Sequence, residues 1–323
     1  MSTEMPAQLR EKLEHQGYDI LGERGAFKAC QWQKKSLLFG DVCYKQRFYG
    51  IESHRCVQMT PLVDKCTQQC EFCWRVTPTD VGIAWNQTEV AEEDALPPRE
   101  LLDAALMANQ RALGGYNPEA GARVPESKYK EARNPKHVAI SLSGEPTLYP
   151  MIGLLIDEIR HRKMTSFLVT NGTRPEVIRE MSLPTQLYVT LAAPDEQTYR
   201  FLCRPADPHS WELINETQDL LRSLNCRRVN RLTMVSGRNM HNPRAYGSMI
   251  LKGNPDFVEV KGYMPLGSSR GRLSLHNVPS HQDIRAFAEK ISAITGYITL
   301  DEQVESRVVL LSRERHPESI QSL

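Results

Sequence analysis

Cys66-Thr-Gln-Gln-Cys70-Glu-Phe-Cys73 sets three thiols at C-x3-C-x2-C spacing, with an aromatic residue before the last. Such a triplet can hold three irons of a cubane cluster and leave the fourth open to an exchangeable ligand, the cluster potential being tuned by charge, hydrogen bonds and burial. Six of the eight cysteines fall between Cys30 and Cys73, where an even scatter would put about one. Disulfides explain this crowding poorly, because the chain opens Met1-Ser-Thr-Glu-Met-Pro with no basic and apolar leader, the pattern of a protein kept in a reducing compartment. Structural zinc usually takes four ligands as two close pairs, and no second C-x2-C pair lies nearby.

Cys30, Cys43 and Cys56 form a second set at C-x12-C-x12-C. On residues alone they read either as buried structural thiols or as ligands of a second cluster that organises a segment with little periodic core. Cys203 and Cys226, in helix-end and strand contexts, read as buried thiols, and the nine histidines show no i, i+4 metal pair. Trp74, next to the triplet, reads as packing over it rather than reacting.

The elements that must position these groups follow from periodicity. Residues 6–17 read as a short amphipathic helix, and Gly22–His54 as an irregular, Gly-rich and aromatic arm. Strands are expected at Val57–Val63, His137–Leu142, Phe167–Thr170, Leu187–Leu191, Val229–Val235 and Phe257–Tyr263. Helices are expected near 98–113, 150–162, 210–224 and 281–294, and residues 112–136 as a long Gly/Pro-containing loop. Apolar, β-branched strands alternating with helices argue an α/β fold with a parallel sheet, and six such strands make an open, partial barrel. Barrel chemistry sits at the carboxyl ends of strands. The triplet, Ser143-Gly144-Glu145-Pro146, Thr170-Asn171-Gly172 and Met264-Pro265-Leu266-Gly267 all follow expected strands.

Composition bounds the rest. At 323 residues, 40% hydrophobic and 24% charged, the chain can bury a full core, and no apolar run approaches a membrane span. A net charge of +1 excludes a uniformly basic surface, so nucleic-acid contact must come from local clusters. Lys128, Lys130, Arg133 and Lys136 form one, Arg222, Arg227, Arg228 and Arg231 another, and Arg270 with Arg272 a third. Each alone reads as a solvated face; together they leave a polyanionic substrate open.

The triplet, with Ser143-Gly144-Glu145 one strand later, resembles the radical S-adenosylmethionine (SAM) enzymes, serine standing where their Gly-Gly-Glu turn usually has its first glycine. The resemblance implies a partial (βα)6 TIM-like barrel, a 4Fe-4S cluster on Cys66, Cys70 and Cys73, and SAM chelating its open iron. Ser143, Gly144 and Glu145 would receive the methionine amine, Thr170 and Asn171 would lie near the ribose or carboxylate, and Met264 near the adenine. One electron from the cluster would break a C–S bond and yield a 5'-deoxyadenosyl radical that abstracts hydrogen from an unactivated carbon.

The arm reads Cys43-Tyr-Lys-Gln-Arg-Phe-Tyr-Gly-Ile-Glu-Ser-His-Arg-Cys56, and with Phe257-Val-Glu-Val-Lys-Gly-Tyr-Met264 it resembles the tRNA 4-demethylwyosine synthases of the wybutosine pathway over about residues 25–300. That resemblance implies a second 4Fe-4S cluster on Cys30, Cys43 and Cys56. It implies condensation of pyruvate with N1-methylguanosine 3' of the anticodon of tRNA-Phe, with loss of the carboxyl carbon. Lys45 is the matching residue for a Schiff base with pyruvate, and pyruvate on the open iron of the second cluster is the competing arrangement. Lys128, Lys130, Lys136 and Arg270 are the expected contacts to phosphates flanking the splayed-out base.

Larger relatives carry a flavodoxin-like portion, so a separate ferredoxin or flavodoxin is expected as electron donor here. The division expected is 1–56 as cluster-bearing arm, 57–300 as barrel and 301–323 as C-terminal extension, in a cytoplasmic monomer. The alternatives are another radical SAM enzyme, modifying a different RNA or activating a glycyl-radical partner, and a non-catalytic iron–sulfur or zinc protein that binds RNA. The two-cluster arm argues against the first, and the Ser-Gly-Glu turn with the barrel order against the second.

Overall fold

A computed structural model of the chain describes residues 5–83 and 95–317. Residues 1–4, 84–94 and 318–323, which fall within the expected arm, barrel and extension, lie outside the described residues. Two compact units divide the described residues, one holding 5–65 and 95–168, the other 66–83 and 169–317.

In the first unit, α1 (Ala7–His15) buries Leu9 and Leu13, one turn apart. Strands β1 (Asp19–Leu21) and β2 (Gly25–Phe27) form an antiparallel hairpin, and β2 pairs antiparallel with β3 (Cys56–Thr60). The segment expected to be irregular is instead helical: α2 (Gln31–Phe39) starts directly after Cys30 and α3 (Tyr44–Tyr49) directly after Cys43. Gly40 and Gly50 end them at φ 78° and 79°, a left-handed conformation that glycine adopts without cost. The buried face of α2 is Gln33, Ser36 and Leu37. Two polar residues on that face leave no apolar period to read, and Gln33 instead donates to Asn109 Oδ1 at 2.9 Å.

Helix α4 (Pro98–Leu113) buries Leu101, Leu102, Ala105 and Ala108. The expected loop over 112–136 contains α5 (Glu126–Ala132) and two short 3-10 turns, Gly114–Tyr116 and Pro118–Ala120. It is held by a small core of Leu37, Leu113, Val124 and Ala132. Strand β4 (His137–Ile140) runs parallel to β3 and to β5 (Thr165–Thr170), with α6 (Ile152–His161) between β4 and β5. All four β4 residues are buried, as a strand covered on both faces requires. The β3 and β4 ladders stop at Thr60 and Ile140, short of the expected Val63 and Leu142.

In the second unit, α7 (Pro175–Glu180), β6 (Gln186–Thr190), α8 (Glu196–Cys203), α9 (Ser210–Leu221) and β7 (Arg227–Met234) are followed by α10 (Pro243–Gly253) and β8 (Phe257–Gly262). Strands β6, β7 and β8 are parallel. Helix α11 (His281–Thr295) opens with a Ser280/Asp283 capping box. Its Ile284, Phe287 and Ile291 join Tyr246 and Ile250 of α10, Leu232 of β7 and Val258 and Val260 of β8 in one core. Two further strands, β9 (Ile298–Gln303) and β10 (Val308–Ser312), form an antiparallel hairpin, and β10 also pairs antiparallel with β8. Strand β9 has β10 as its neighbour and ends the strand order, with a register shift at Leu310/Leu311.

Candidate cluster and cofactor site

The Ser143-Gly144-Glu145 turn follows β4. Thr60 Oγ1 donates to Ser143 O at 2.6 Å, and Glu145 N–H donates to Lys65 O at 2.7 Å. Gly144 sits at φ +75°, and a Cβ there would lie 1.8 Å from Leu62 O and 2.5 Å from Lys65 O. Only hydrogen fits, so glycine is what lets the turn lie against the residues leading to Cys66. Glu145 is 2% exposed, and its Oε1 accepts from Thr147 N–H at 3.1 Å and Thr147 Oγ1 at 2.6 Å, capping the 3-10 turn Pro146–Leu148.

The triplet loop belongs to the second unit, where the end of α8 organises it. A helix leaves its last carbonyls without intrahelical donors. Here Glu71 N–H donates to Leu202 O and Gln69 N–H to Cys203 O, both at 2.9 Å. Cys70 Sγ lies 3.2 Å from Gln68 Oε1, and a hydrogen bond with Cys203, together with burial, pushes its thiol up. Burial and the neighbouring Cys70 also raise Cys73. Asn171 faces the start of the triplet: its Nδ2 donates to Thr67 Oγ1 at 2.8 Å and lies 3.7 Å from Cys66 Sγ. Its Oδ1 accepts from Thr173 Oγ1 at 2.8 Å. Thr170 is buried, its Oγ1 accepting from Gly172 N–H at 3.1 Å, and Met264 is half-buried after β8.

The arm cysteines are gathered in the first unit. Burial raises Cys30 and Cys56, and the charges of Cys30, Cys43 and Cys56 act on one another. The Lys45 charge bears on both Cys30 and Cys56, and its Nζ lies 5.4 Å from the Phe167 ring centroid. Two residues to which the sequence assigns no role stitch these segments: Ser53 Oγ accepts from Cys43 N–H at 3.0 Å, and Gln46 Oε1 from Ser53 N–H at 2.8 Å. Both lie in the Cys43–Cys56 run, but no residue type there announces the pairing, so only the fold reveals it.

The basic clusters separate by environment. Arg228 is bidentate to Asp256 (2.7 and 3.1 Å) and Arg231 pairs with fully buried Glu259 at 2.9 Å, so these two arginines serve the sheet rather than a solvated face. Lys130 pairs with Glu126 at 2.5 Å, Lys136 with Glu52 at 3.4 Å, and Arg270 Nε donates to Pro265 O at 2.6 Å. Lys128 is half-buried on α5. Glu52, His54 and Glu131 meet within 4.8 Å, yet Glu52 is already shared by Arg55 and Lys136, which disfavours a cation there.

The radical SAM superfamily model matches residues 60–246, and a model for wyosine base formation matches 252–313. A Pyrococcus abyssi protein named S-adenosyl-L-methionine-dependent tRNA 4-demethylwyosine synthase is 47% identical over 317 residues, covering 96% of this chain and 90% of that protein. The Methanocaldococcus jannaschii protein of the same name is 39% identical, covering 96% of this chain and 97% of that one. The chain belongs to the tRNA 4-demethylwyosine synthases, within the radical SAM superfamily. A solved structure described as TYW1 with a lysine-pyruvate adduct bound aligns at TM-score 0.86 and 36% identity, over 98% of this chain and 99% of that chain. A crystal structure of archaeal TYW1 aligns at 0.80 and 32% identity. The α/β radical SAM fold expected from the sequence is thus the fold of this synthase.

Membership of the superfamily brings SAM and a 4Fe-4S cluster. The residues present fit both: none of Cys66, Cys70 and Cys73 is tied up in a disulfide, and the Gly144 turn docks where a side chain could not. Among the described residues, no helix is long and apolar enough to cross a membrane.

Proposed function

We propose that this synthase condenses pyruvate with N1-methylguanosine of tRNA-Phe, 3' of the anticodon, to form 4-demethylwyosine. The observation that carries the reading is Lys45: it lies two residues after Cys43, its charge bears on Cys30 and Cys56, and its Nζ stands over Phe167. A related structure at 36% identity is described as holding a lysine-pyruvate adduct. Lys45 attacks the pyruvate ketone as a neutral amine; the carbinolamine loses water, leaving a C=N bond that holds the substrate carbons in place.

Cys66, Cys70 and Cys73 hold the cluster, and Ser143, Gly144 and Glu145 hold the methionine amine of SAM, with Thr170, Asn171 and Met264 beside the nucleoside. When bound, that pair supplies the one-electron chemistry that removes a hydrogen atom from the methyl group of the base. The chain's own part is orientation and exclusion of water. Cys30, Cys43 and Cys56 hold a second 4Fe-4S cluster, within an arm spanning 1–56 that precedes a catalytic body at 57–300 and an extension at 301–323. Lys128, Lys130, Lys136 and Arg270 contact the phosphates of the anticodon loop. The protein acts as a cytoplasmic monomer and takes electrons from a ferredoxin or flavodoxin.

Anaerobically reconstituted protein, given methylated tRNA-Phe, SAM and isotopically labelled pyruvate, transfers label into the tRNA. Lys45→Ala abolishes transfer and any borohydride-trapped adduct while still cleaving SAM. Full label transfer by Lys45→Ala removes the Schiff base, and no label transfer by the wild type removes the reading.

A further inference from the structure

Arg272 lies in the segment after β8, about 200 residues along the chain from the triplet, yet its guanidinium is spent on the triplet loop. Its Nη2 donates to Cys73 O and, at 3.5 Å, to Arg75 O, and its Nε donates to Glu71 O at 3.3 Å. Its Nη1 binds Asp80 Oδ1 and Oδ2 at 2.5 and 2.7 Å, and the two side chains are only 15% and 20% exposed. Asp80 also accepts from Thr77 N–H at 2.7 Å and closes a capping box on the turn Pro78–Val81, so the carboxylate that aims Arg272 is itself fixed. Two backbone groups of the same segment press on the same loop. Ser268 N–H donates to Trp74 O at 3.0 Å, and Gly267, at φ +53°, approaches so closely that a Cβ would lie 2.0 Å from that oxygen.

We propose that Arg272, aimed by Asp80, is a positioning residue for the cluster loop: it fixes the carbonyls around Cys73 and supplies the nearby positive charge that offsets the thiolates. The proposal rests on Cys66, Cys70 and Cys73 being the cluster ligands. Four carbonyls of residues 71–75 are held by this one segment, and the end of α8 holds the loop amides, so the loop is gripped through both sets of backbone groups. Side-chain charges around the loop balance in favour of cations. Glu71 is 7% exposed and meets Arg204 at 2.5 Å and Arg238 at 3.7 Å, so two carboxylates, Glu71 and Asp80, face the three guanidinium groups of Arg204, Arg238 and Arg272. An anionic cluster on three thiolates gains most from such an excess of positive charge in a low-dielectric site. The clamp comes from the portion matched by the wyosine model (252–313), whereas the triplet lies in the portion matched by the superfamily model (60–246). The specialised part of the chain therefore grips the general part.

The test uses full-length, anaerobically reconstituted protein and reads the reduced-cluster signal that changes on adding SAM, which separates this cluster from any other. Arg272→Gln loses both fan and charge, so its SAM-sensitive signal titrates at a more negative potential and its iron passes to a chelator about tenfold faster, the loss expected when a charged hydrogen-bonding group is removed. Arg272→Lys keeps the charge without the fork, so the potential stays near wild type while the chelator still acts faster. Asp80→Asn, which leaves Arg272 present but unaimed, also speeds iron loss. Wild-type potential and iron retention in Arg272→Gln, or wild-type retention in Arg272→Lys and Asp80→Asn, overturns the clamp alone. Wild-type protein with no SAM-sensitive signal overturns the ligand assignment and the clamp with it.

Discussion

Gly144 shows how far a single hydrogen can decide a turn. A methyl group there would collide with two carbonyls that lie within four residues before Cys66, on a backbone at φ +75° that L side chains rarely adopt. Gly144→Ala should therefore displace the turn rather than merely strain it, costing on the order of 2–4 kcal/mol in urea unfolding. On the proposed role of the turn, SAM binding, followed by equilibrium dialysis, should fall by at least about tenfold. Affinity within a factor of two of wild type would show that the turn does not carry the amine. The candidate site is legible in the chain because close spacing announces it: three cysteines in eight residues, and a short turn after an apolar strand. Asn171 stands out in the chain by its place after an apolar strand, but nothing there announces its hydrogen bond to Thr67 or its approach to Cys66. Arg272 reads in the chain as one member of a basic pair, because its partners, Asp80 and backbone carbonyls of the triplet loop, lie about 200 residues away in sequence.

At the scale of elements, His137 ties β4 to its surroundings. Glu52 N–H donates to its Nε2 at 3.1 Å, and Nδ1 then donates to Thr165 Oγ1 on β5 at 2.7 Å. Burial drops the ring from 6.5 to about 4, so it is neutral near pH 7 and charging it would cost the hydrogen bond from Glu52. As pH falls, the unfolded chain takes up the proton first. The stability gained from a neutral His137 is complete above the unfolded value and is lost between about 6.5 and 4. Wild type should lose about 2 kcal/mol more than His137→Gln between pH 7 and pH 5 in matched urea titrations, and equal losses would refute the assignment. Elements with strong periods, such as α4 with Leu101, Leu102, Ala105 and Ala108, were readable to within a residue or two. The arm helices were not: α2 buries Gln33 and Ser36, and α3 is six residues long. Nor were β9 and β10, which follow the last expected helix and add antiparallel strands where only an extension was foreseen.

Over the whole molecule the balance of 40 basic and 39 acidic residues leaves no general field to attract RNA. Affinity for tRNA must then come from a few lysine–phosphate and arginine–phosphate pairs, and counterion release makes their number measurable. Charge reversal at Lys128 and Lys136 together should flatten the plot of log Kd against log salt by about 0.7–0.9 for each phosphate no longer neutralised, with uncoupled SAM cleavage nearly intact. An unchanged slope would move the RNA interface elsewhere. Lys136 and Lys130 already hold carboxylates at 3.4 and 2.5 Å, so RNA would have to displace half-buried Glu52, which Arg55 also holds, and exposed Glu126, a weak partner.

The hairpin at the end of the chain bears on how copies of the protein would meet. Strand β10 is buried throughout, and β9 ends the strand order instead, its half-buried Glu302 held by His281 at 3.1 Å and Arg285 at 3.8 Å while the shift at Leu310/Leu311 breaks the regularity of the pair. At this end of the strand order a second copy would therefore meet an uneven border rather than an open template.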